Sequence, residues 1–184
     1  MGEDLERYAR QVALPELGAD GQRRLAASRA VVVGCGALGG FTSMMLVRAG
    51  IGDVVVIDRD TPERTNLHRQ VLYDEADVDA GTPKAVAAAR RLASMNRDVR
   101  VTPVVAHVDG GNVEAGIRGA DLVLDGADNF ALRLVVNEAC VRHGIPWVHG
   151  GILGTVGQQF TILPGRTACY ECLIEEEPAP GTAP

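Results

Sequence analysis

The stretch GCGALG, residues 34–39, sets Gly34, Gly36 and Gly39 in G-x-G-x-x-G spacing, after an apolar run and at the start of a helical one. Glycine there lets the backbone turn tightly and approach a phosphate with no Cβ in the way. The first N–H groups of the helix, beginning at Ala37, then face the anion. Asp58 ends the next apolar run, where a carboxylate can accept both hydroxyls of a ribose. The glycines alone are a weak signal; with strand, helix and acid in order they predict a nucleotide site. The plainer reading is a packing turn with a solvated acid at a strand end. The fingerprint does not choose between NAD and ATP, and Arg59, next to Asp58, blurs the distinction further.

Three more clusters fall where a ligand of such a fold would meet them. The polar loop DRDTPERTNLHRQVLY holds Asp60, Asn66, Arg69 and Gln70. Lys84 stands in the first turn of a predicted helix, where a cation opposes the helix dipole unless an anion compensates; taken alone it reads as an exposed lysine with its head in water. LDGADN ends a fourth apolar run and carries Asp125, Asp128 and Asn129: paired acids that suit Mg²⁺, or helix caps. Together these supply an acid for ribose, two cations for phosphates and an acid for magnesium, which is equipment for nucleotidyl transfer from ATP.

Alternating apolar runs and amphipathic stretches must position these groups. Strands are predicted over 29–34, 53–58, 99–108, 121–126 and 146–151, with an antiparallel strand over 155–163. Helices are predicted over 37–50, 82–96, 112–118 and 129–144, and Thr82 caps the second of these with Pro83 in its first turn. Pro103 marks an edge or a bend. The expected architecture is α/β: a Rossmann-like, doubly wound, mainly parallel sheet covered on both faces, one domain over 1–184 with an N-terminal helical arm (1–28), a core (29–165) and a C-terminal hook and Pro-rich tail (166–184). The tail beyond Glu175 is acidic and rich in proline, the composition of a mobile segment.

Composition narrows the function classes. The 184 residues are 46% hydrophobic and 23% charged with net charge −6 and no basic run, which argues against nucleic acid as a partner. The uncharged stretch 30–47 is long enough to raise the membrane question, but its glycines fit a buried strand turning into a helix. Without a signal-like N-terminus, four cysteines point to the cytoplasm and to metal or redox chemistry rather than disulfides. Cys35 and Cys140 read as small core residues, His149 belongs to no ligand spacing, and Cys169 and Cys172 form a C-x-x-C hook, half of a zinc site.

Six stretches, RYARQ, GCGALG, IDRDTPERTNLHRQ, TPKA, LDGADN and CYEC, occur in an order and spacing that resemble the ThiF/MoeB/HesA adenylyltransferases, relatives of ubiquitin-activating enzymes. The resemblance covers essentially the whole chain. It implies ATP-dependent adenylation of the C-terminal Gly-Gly carboxylate of a ubiquitin-like sulfur carrier, serving molybdopterin- or thiamin-type sulfur transfer, in a homodimer. By position, Asp58 holds the ribose and Arg69 and Lys84 the triphosphate. Asp128 is the Mg²⁺-linked acid, with Asn66, Gln70 and Asn129 in support. Arg10 resembles an arginine that reaches the phosphates from the other subunit. In the family a second C-x-x-C downstream completes the zinc site. Here the sequence ends before one, so Zn²⁺ is expected only if other ligands are supplied. The resemblance leaves open a non-catalytic nucleotide-binding module or half of a split enzyme, and less readily an NAD-dependent oxidoreductase.

Overall fold

The central strands are apolar because both of their faces are covered. β1 (Arg29–Val33) and β2 (Asp53–Ile57) are almost wholly buried in the computed structural model, which describes residues 5–174. Alternate side chains serve opposite cores. Val32, Val54 and Val56 pack with Val47, Ala85, Ala88 and Leu92, from α3 (Ala37–Ala49) and α5 (Lys84–Met95). Val31, Val33, Val55 and Ile57 pack with Val113, Ile117, Val136 and Ala139, from α6 (Val113–Ile117) and α7 (Phe130–His143).

With β3 (Arg100–Val104), β4 (Leu122–Asp125), β5 (Trp147–Leu153) and β6 (Val156–Ile162) the sheet has the order β3-β2-β1-β4-β5-β6. All neighbouring pairs are parallel except β5–β6. Pro103 sits on the edge strand β3, where its missing N–H costs no ladder bond. Where the three first strands begin, Arg29, Asp53 and Arg100 lie in register, and the Asp53 carboxylate accepts from both guanidiniums at 2.7 Å.

Two short helices precede the sheet: α1 (Ala9–Val12), entered through a 3₁₀ turn, and α2 (Gly18–Ala27). They dock on the far end of α3. Gln11 and Gln22 both donate to the Ala49 carbonyl (2.8 and 3.0 Å), and Asn96 donates to Tyr8 Oη and to the Val47 carbonyl (2.7 and 2.9 Å). A Cβ on Gly50 would stand 2.6 Å from Tyr8 Cζ, so the helix stop at Gly50 is also the seat of the arm.

Two short helices were not predicted: α4 (Glu75–Asp79), opened by a capping box between Asp74 and Asp77, and α8 (Tyr170–Leu173) in the C-x-x-C hook. The Thr82 cap is a correction. α5 begins at Lys84 with Pro83 as its N-cap and no side-chain cap; instead the Lys84 N–H donates to the Asp60 carbonyl at 2.7 Å. A tertiary partner fills the place of the local one. The Pro-rich tail lies outside the described residues.

Candidate functional site

The sheet order reverses between β1 and β4, and ligands of such sheets bind beyond the carboxyl ends of the strands at that point. A cavity of about 620 Å³ opens there, between the loops that leave β1 and β4. Three glycines bring those loops together. Gly34 has φ +87°; a Cβ on Gly39 would meet the Gly34 carbonyl oxygen at 1.9 Å, and one on Gly126 would meet the same oxygen at 2.5 Å. Gly39 and Gly126 are therefore required by packing of backbone on backbone. Gly36 differs: the nearest atom to a Cβ there is Gln70 Nε2 at 3.7 Å, so the protein itself leaves room for a side chain. Gly36 lines the cavity with Ala37 and Leu38, at the N-terminus of a thirteen-residue helix that no side chain caps. Its bareness suits the close approach of an anion. Tyr73 braces the loop from below, donating to the Cys35 carbonyl at 2.5 Å.

Asp58 lies against this loop. Its carboxylate accepts from the Cys35 N–H (2.7 Å) and the Asp60 N–H (2.8 Å) and lines the cavity. Asp60 in turn orients Lys84. Its carbonyl accepts from the Lys84 N–H, and its carboxylate stands 3.4 Å from Lys84 Nζ and 3.5 Å from Arg59 Nε. Lys84 is only 8% exposed, which corrects the reading of a solvated head; Asp60 is the anion that its helix position called for. Arg69 and Gln70 also line the cavity. The Gln70 Oε1 is buried with no partner among the described residues.

Across the cavity stands the loop after β4. Asn129 caps α7, accepting from the Leu132 N–H at 2.9 Å, and donates to Asp128 Oδ1 at 3.1 Å. Asp128 is thereby freed from capping, and it lines the cavity as an exposed carboxylate. Asp125 is a correction to the paired acids: its side chain is turned into the wall and fully engaged, accepting from the Ala127 N–H (2.7 Å), from Arg133 Nε (3.1 Å) and against His149 Nδ1 (2.6 Å). Magnesium fits the remaining arrangement. One carboxylate at the mouth of a phosphate-sized cavity is the protein share such an ion takes, the rest coming from water and phosphate oxygens.

Three expected site residues do not line the cavity: Asn66, Arg10 and Gly39, which packs behind the loop against Gly34. Asn66 does not line the cavity; its carbonyl accepts from the N–H groups of Arg69 and Gln70, both at 3.0 Å, and so shapes the turn presenting them. Arg10 is exposed on α1, away from the cavity lining. Cys169 and Cys172 have sulfurs 3.4 Å apart. Burial raises the Cys169 thiol, but hydrogen bonds from the Cys172 backbone and side chain and from Asn137 outweigh it and hold the thiol below its ordinary value. Among the described residues no group of three or more His, Cys, Asp or Glu could hold a metal, so the hook does not by itself fit zinc.

Sequence reasoning missed Gly126, Arg133 and the Asp125–His149 contact. One signal for Arg133 was available: with Asn129 and Asn137 it falls at four-residue spacing, a polar stripe along a predicted helix that is otherwise largely apolar around it.

The fold is Rossmann-like, with its cavity at the point where the strand order reverses. The chain belongs to the ThiF family, whose model matches residues 8–184. It is 48% identical over 175 residues to the sulfur carrier protein ThiS adenylyltransferase of Bacillus subtilis, covering 95% of this chain and 52% of the relative. It is 47% identical to the SAMP-activating enzyme E1 of Haloferax volcanii, covering 98% and 66%. A crystal structure of E. coli MccB with ATP matches with a TM-score of 0.82 at 32% identity, covering 93% of this chain and 52% of that one. The chain thus spans about half to two thirds of the length of these relatives.

Proposed function

We propose that this chain is the nucleotide-binding part of an ATP-dependent adenylyltransferase that activates the C-terminal Gly-Gly carboxylate of a ubiquitin-like sulfur carrier protein. Residues 1–184 are read as one ATP-binding unit. The observation that carries the reading is the convergence on one cavity of a bare glycine loop, Asp58, Lys84, Arg69 and Asp128. Two relatives named for activating ThiS and SAMP support the choice of acceptor.

The carrier's carboxylate is already ionised, so no protein nucleophile is required. A carboxylate oxygen attacks the α-phosphorus, the bond to the β-phosphate oxygen breaks, and pyrophosphate departs with the electron pair. The protein aligns the two reactants and neutralises charge. Asp58 fixes the ribose, and the N–H groups opening α3 meet phosphate oxygens. Arg69 and Lys84 offset the charge on the departing pyrophosphate. Asp128 would hold Mg²⁺, which when bound adds to that neutralisation. Sulfide-level sulfur from a separate donor then attacks the acyl carbon, the bond to the AMP phosphate oxygen breaks and AMP leaves, giving the thiocarboxylate used in molybdopterin- or thiamin-type synthesis. No step is assigned to zinc.

In this reading Arg10 serves the site of a second subunit. Tyr8 and Gln11 seat α1 on the last residues of α3, whose first residues line the cavity. Thirteen residues at about 1.5 Å each separate the two ends by roughly 20 Å, beyond the reach of one arginine. The arm therefore serves a homodimer better than its own chain. A cytoplasmic setting accords with four free cysteines, and among the described residues no helix is long and apolar enough to cross a membrane.

Thermal unfolding with Mg·ATP and with NAD tests the reading. At a hundredfold excess over Kd a ligand adds about 2.7 kcal/mol, which raises Tm by roughly 5–10 °C in a chain of this size. Mg·ATP should give that shift and NAD should not; the reverse order would overturn the proposal.

A further inference from the structure

Arg133 is the least expected charge in the molecule. It is 1% exposed, on α7, and forms part of the inner wall of the cavity. Removing a guanidinium from water is costly unless every contact it makes is used. It makes three hydrogen bonds. Nε donates to Asp125 Oδ2 at 3.1 Å, and Nη2 donates to the Ala127 carbonyl at 2.8 Å and to the Gly150 carbonyl at 3.5 Å. Phe130 covers the guanidinium carbon at 5.8 Å from its ring centroid. Its Nη1 has no partner among the described residues.

The consequence for the neighbouring loop is specific. Ala127 is held at both ends of its peptide groups: its N–H donates to Asp125 Oδ1 at 2.7 Å, and its carbonyl accepts from Arg133. Asn129, two residues on, is held by its cap on α7. Asp128 stands between two pinned neighbours, so the direction of its carboxylate is set by them. Asp125 is itself fixed by His149, which is wholly buried and stacks on Phe160 at 4.9 Å. The arrangement joins the end of β4, the start of α7 and β5 through one planar group. Only a forked donor can reach Asp125, Ala127 and Gly150 at once; an ammonium is a point charge that would satisfy one or two of them.

We propose that Arg133 is a positioning residue for metal-assisted nucleotide binding: through the Ala127 carbonyl it sets the carboxylate of Asp128 in the geometry that Mg²⁺ requires. This rests on the reading of Asp128 given above. A brace of the core alone would weaken every property of the site together. A positioning residue acts only on what Asp128 does.

The test is calorimetric titration of ATP into this chain, with Mg²⁺ and with a chelator in its place, for the unmodified protein, Arg133→Lys, Asp128→Ala and the double variant. Thermal unfolding without ligand serves as the control for folding. Outer partners of a metal ligand are worth about tenfold or more in metal affinity or activity. Arg133→Lys should therefore weaken Mg·ATP binding about tenfold and leave magnesium-free ATP binding within about twofold. It should cause no further loss in the Asp128→Ala background. Equal weakening with and without Mg²⁺, full additivity with Asp128→Ala, or no weakening would each overturn the inference. If Arg133→Lys does not fold, Asp125→Asn, which in either amide orientation sets an NH₂ against the Arg133 Nε–H or the Ala127 N–H and so breaks the same brace, carries the same expectation and the same contrary results. An unmodified protein that binds no ATP would sink the nucleotide reading itself, and this inference with it. Magnesium-dependent binding lost in Asp128→Ala but kept in Arg133→Lys sinks this inference alone.

Discussion

The Gly34 carbonyl oxygen lies 1.9 Å from where a Cβ on Gly39 would stand, while a Cβ on Gly36 meets nothing nearer than 3.7 Å. Two glycines of one motif are thus required for different reasons, and substitution separates them. Gly39→Ala forces backbone apart at the junction of β1, α3 and the β4 loop, and overpacking of this kind costs about 1–3 kcal/mol or more. Gly36→Ala should leave thermal stability within about 0.5 kcal/mol, as for a change that meets no crowding. It should nonetheless weaken ATP binding, because the added methyl occupies the phosphate's approach. Unfolding scans and ATP titration of both variants check this; equal stability losses would contradict it.

Lys84 offers a second separation of folding from binding. Its stem is buried, but its partner Asp60 is half exposed, so breaking the pair strands no buried charge. Lys84→Met keeps the packing of the stem and should cost at most about 1 kcal/mol of stability. ATP affinity should fall by about tenfold or more, the range for a lost charge-assisted contact to phosphate. A variant with unchanged ATP affinity would remove Lys84 from the site.

The four cysteines should divide into two pairs. Burial pushes the Cys35 thiol up to about 11, an effect its hydrogen bond with Tyr73 only partly offsets, and it pushes Cys140 up to about 12. Thiolate is scarce at either below those values, and both side chains are enclosed. Cys172 is exposed, and Cys169 is held below the ordinary thiol value despite its partial burial. Thiol titration of the native protein at about pH 8 should consume two groups quickly and two only on unfolding. Raising the pH toward 9 should leave the slow pair slow. Four equal rates would contradict the placement of the glycine loop and of α7.

Arg10 and Asp128 are assigned to one site built from two chains. Arg10→Ala and Asp128→Ala should each lose pyrophosphate exchange, and mixing the two should restore part of it, since a mixed dimer holds one intact site. No recovery from a mixture shown to exchange subunits would place Arg10 outside the chemistry.

Much of this was legible in the sequence because the relevant constraints are local. Val31–Val33 and Val54–Ile57 are apolar without alternation, which marks buried parallel strands, and Pro103 marked the edge. The glycine loop, Asp58 and the order of the polar clusters were visible because each sits at a strand end. What was not legible depends on partners distant in sequence. Thr82 is a good local cap, yet the Asp60 carbonyl, 24 residues from Lys84, takes the cap's place. Asp125 and Asp128 look alike in LDGADN; only the arrival of Arg133 and His149 from other elements turns one inward and leaves the other at the cavity. Gly126 gives no signal of its own, since its need arises from the Gly34 carbonyl in a loop distant in sequence.

The central claim is that this cavity activates a carboxylate with ATP. ATP–pyrophosphate exchange by the 184-residue chain, with and without a ubiquitin-like carrier ending in Gly-Gly, tests it most directly. The account predicts exchange that requires the carrier and is abolished by Asp128→Ala in a protein that still folds. ATP bound with no exchange in the presence of carriers, or exchange undiminished in Asp128→Ala, would contradict it.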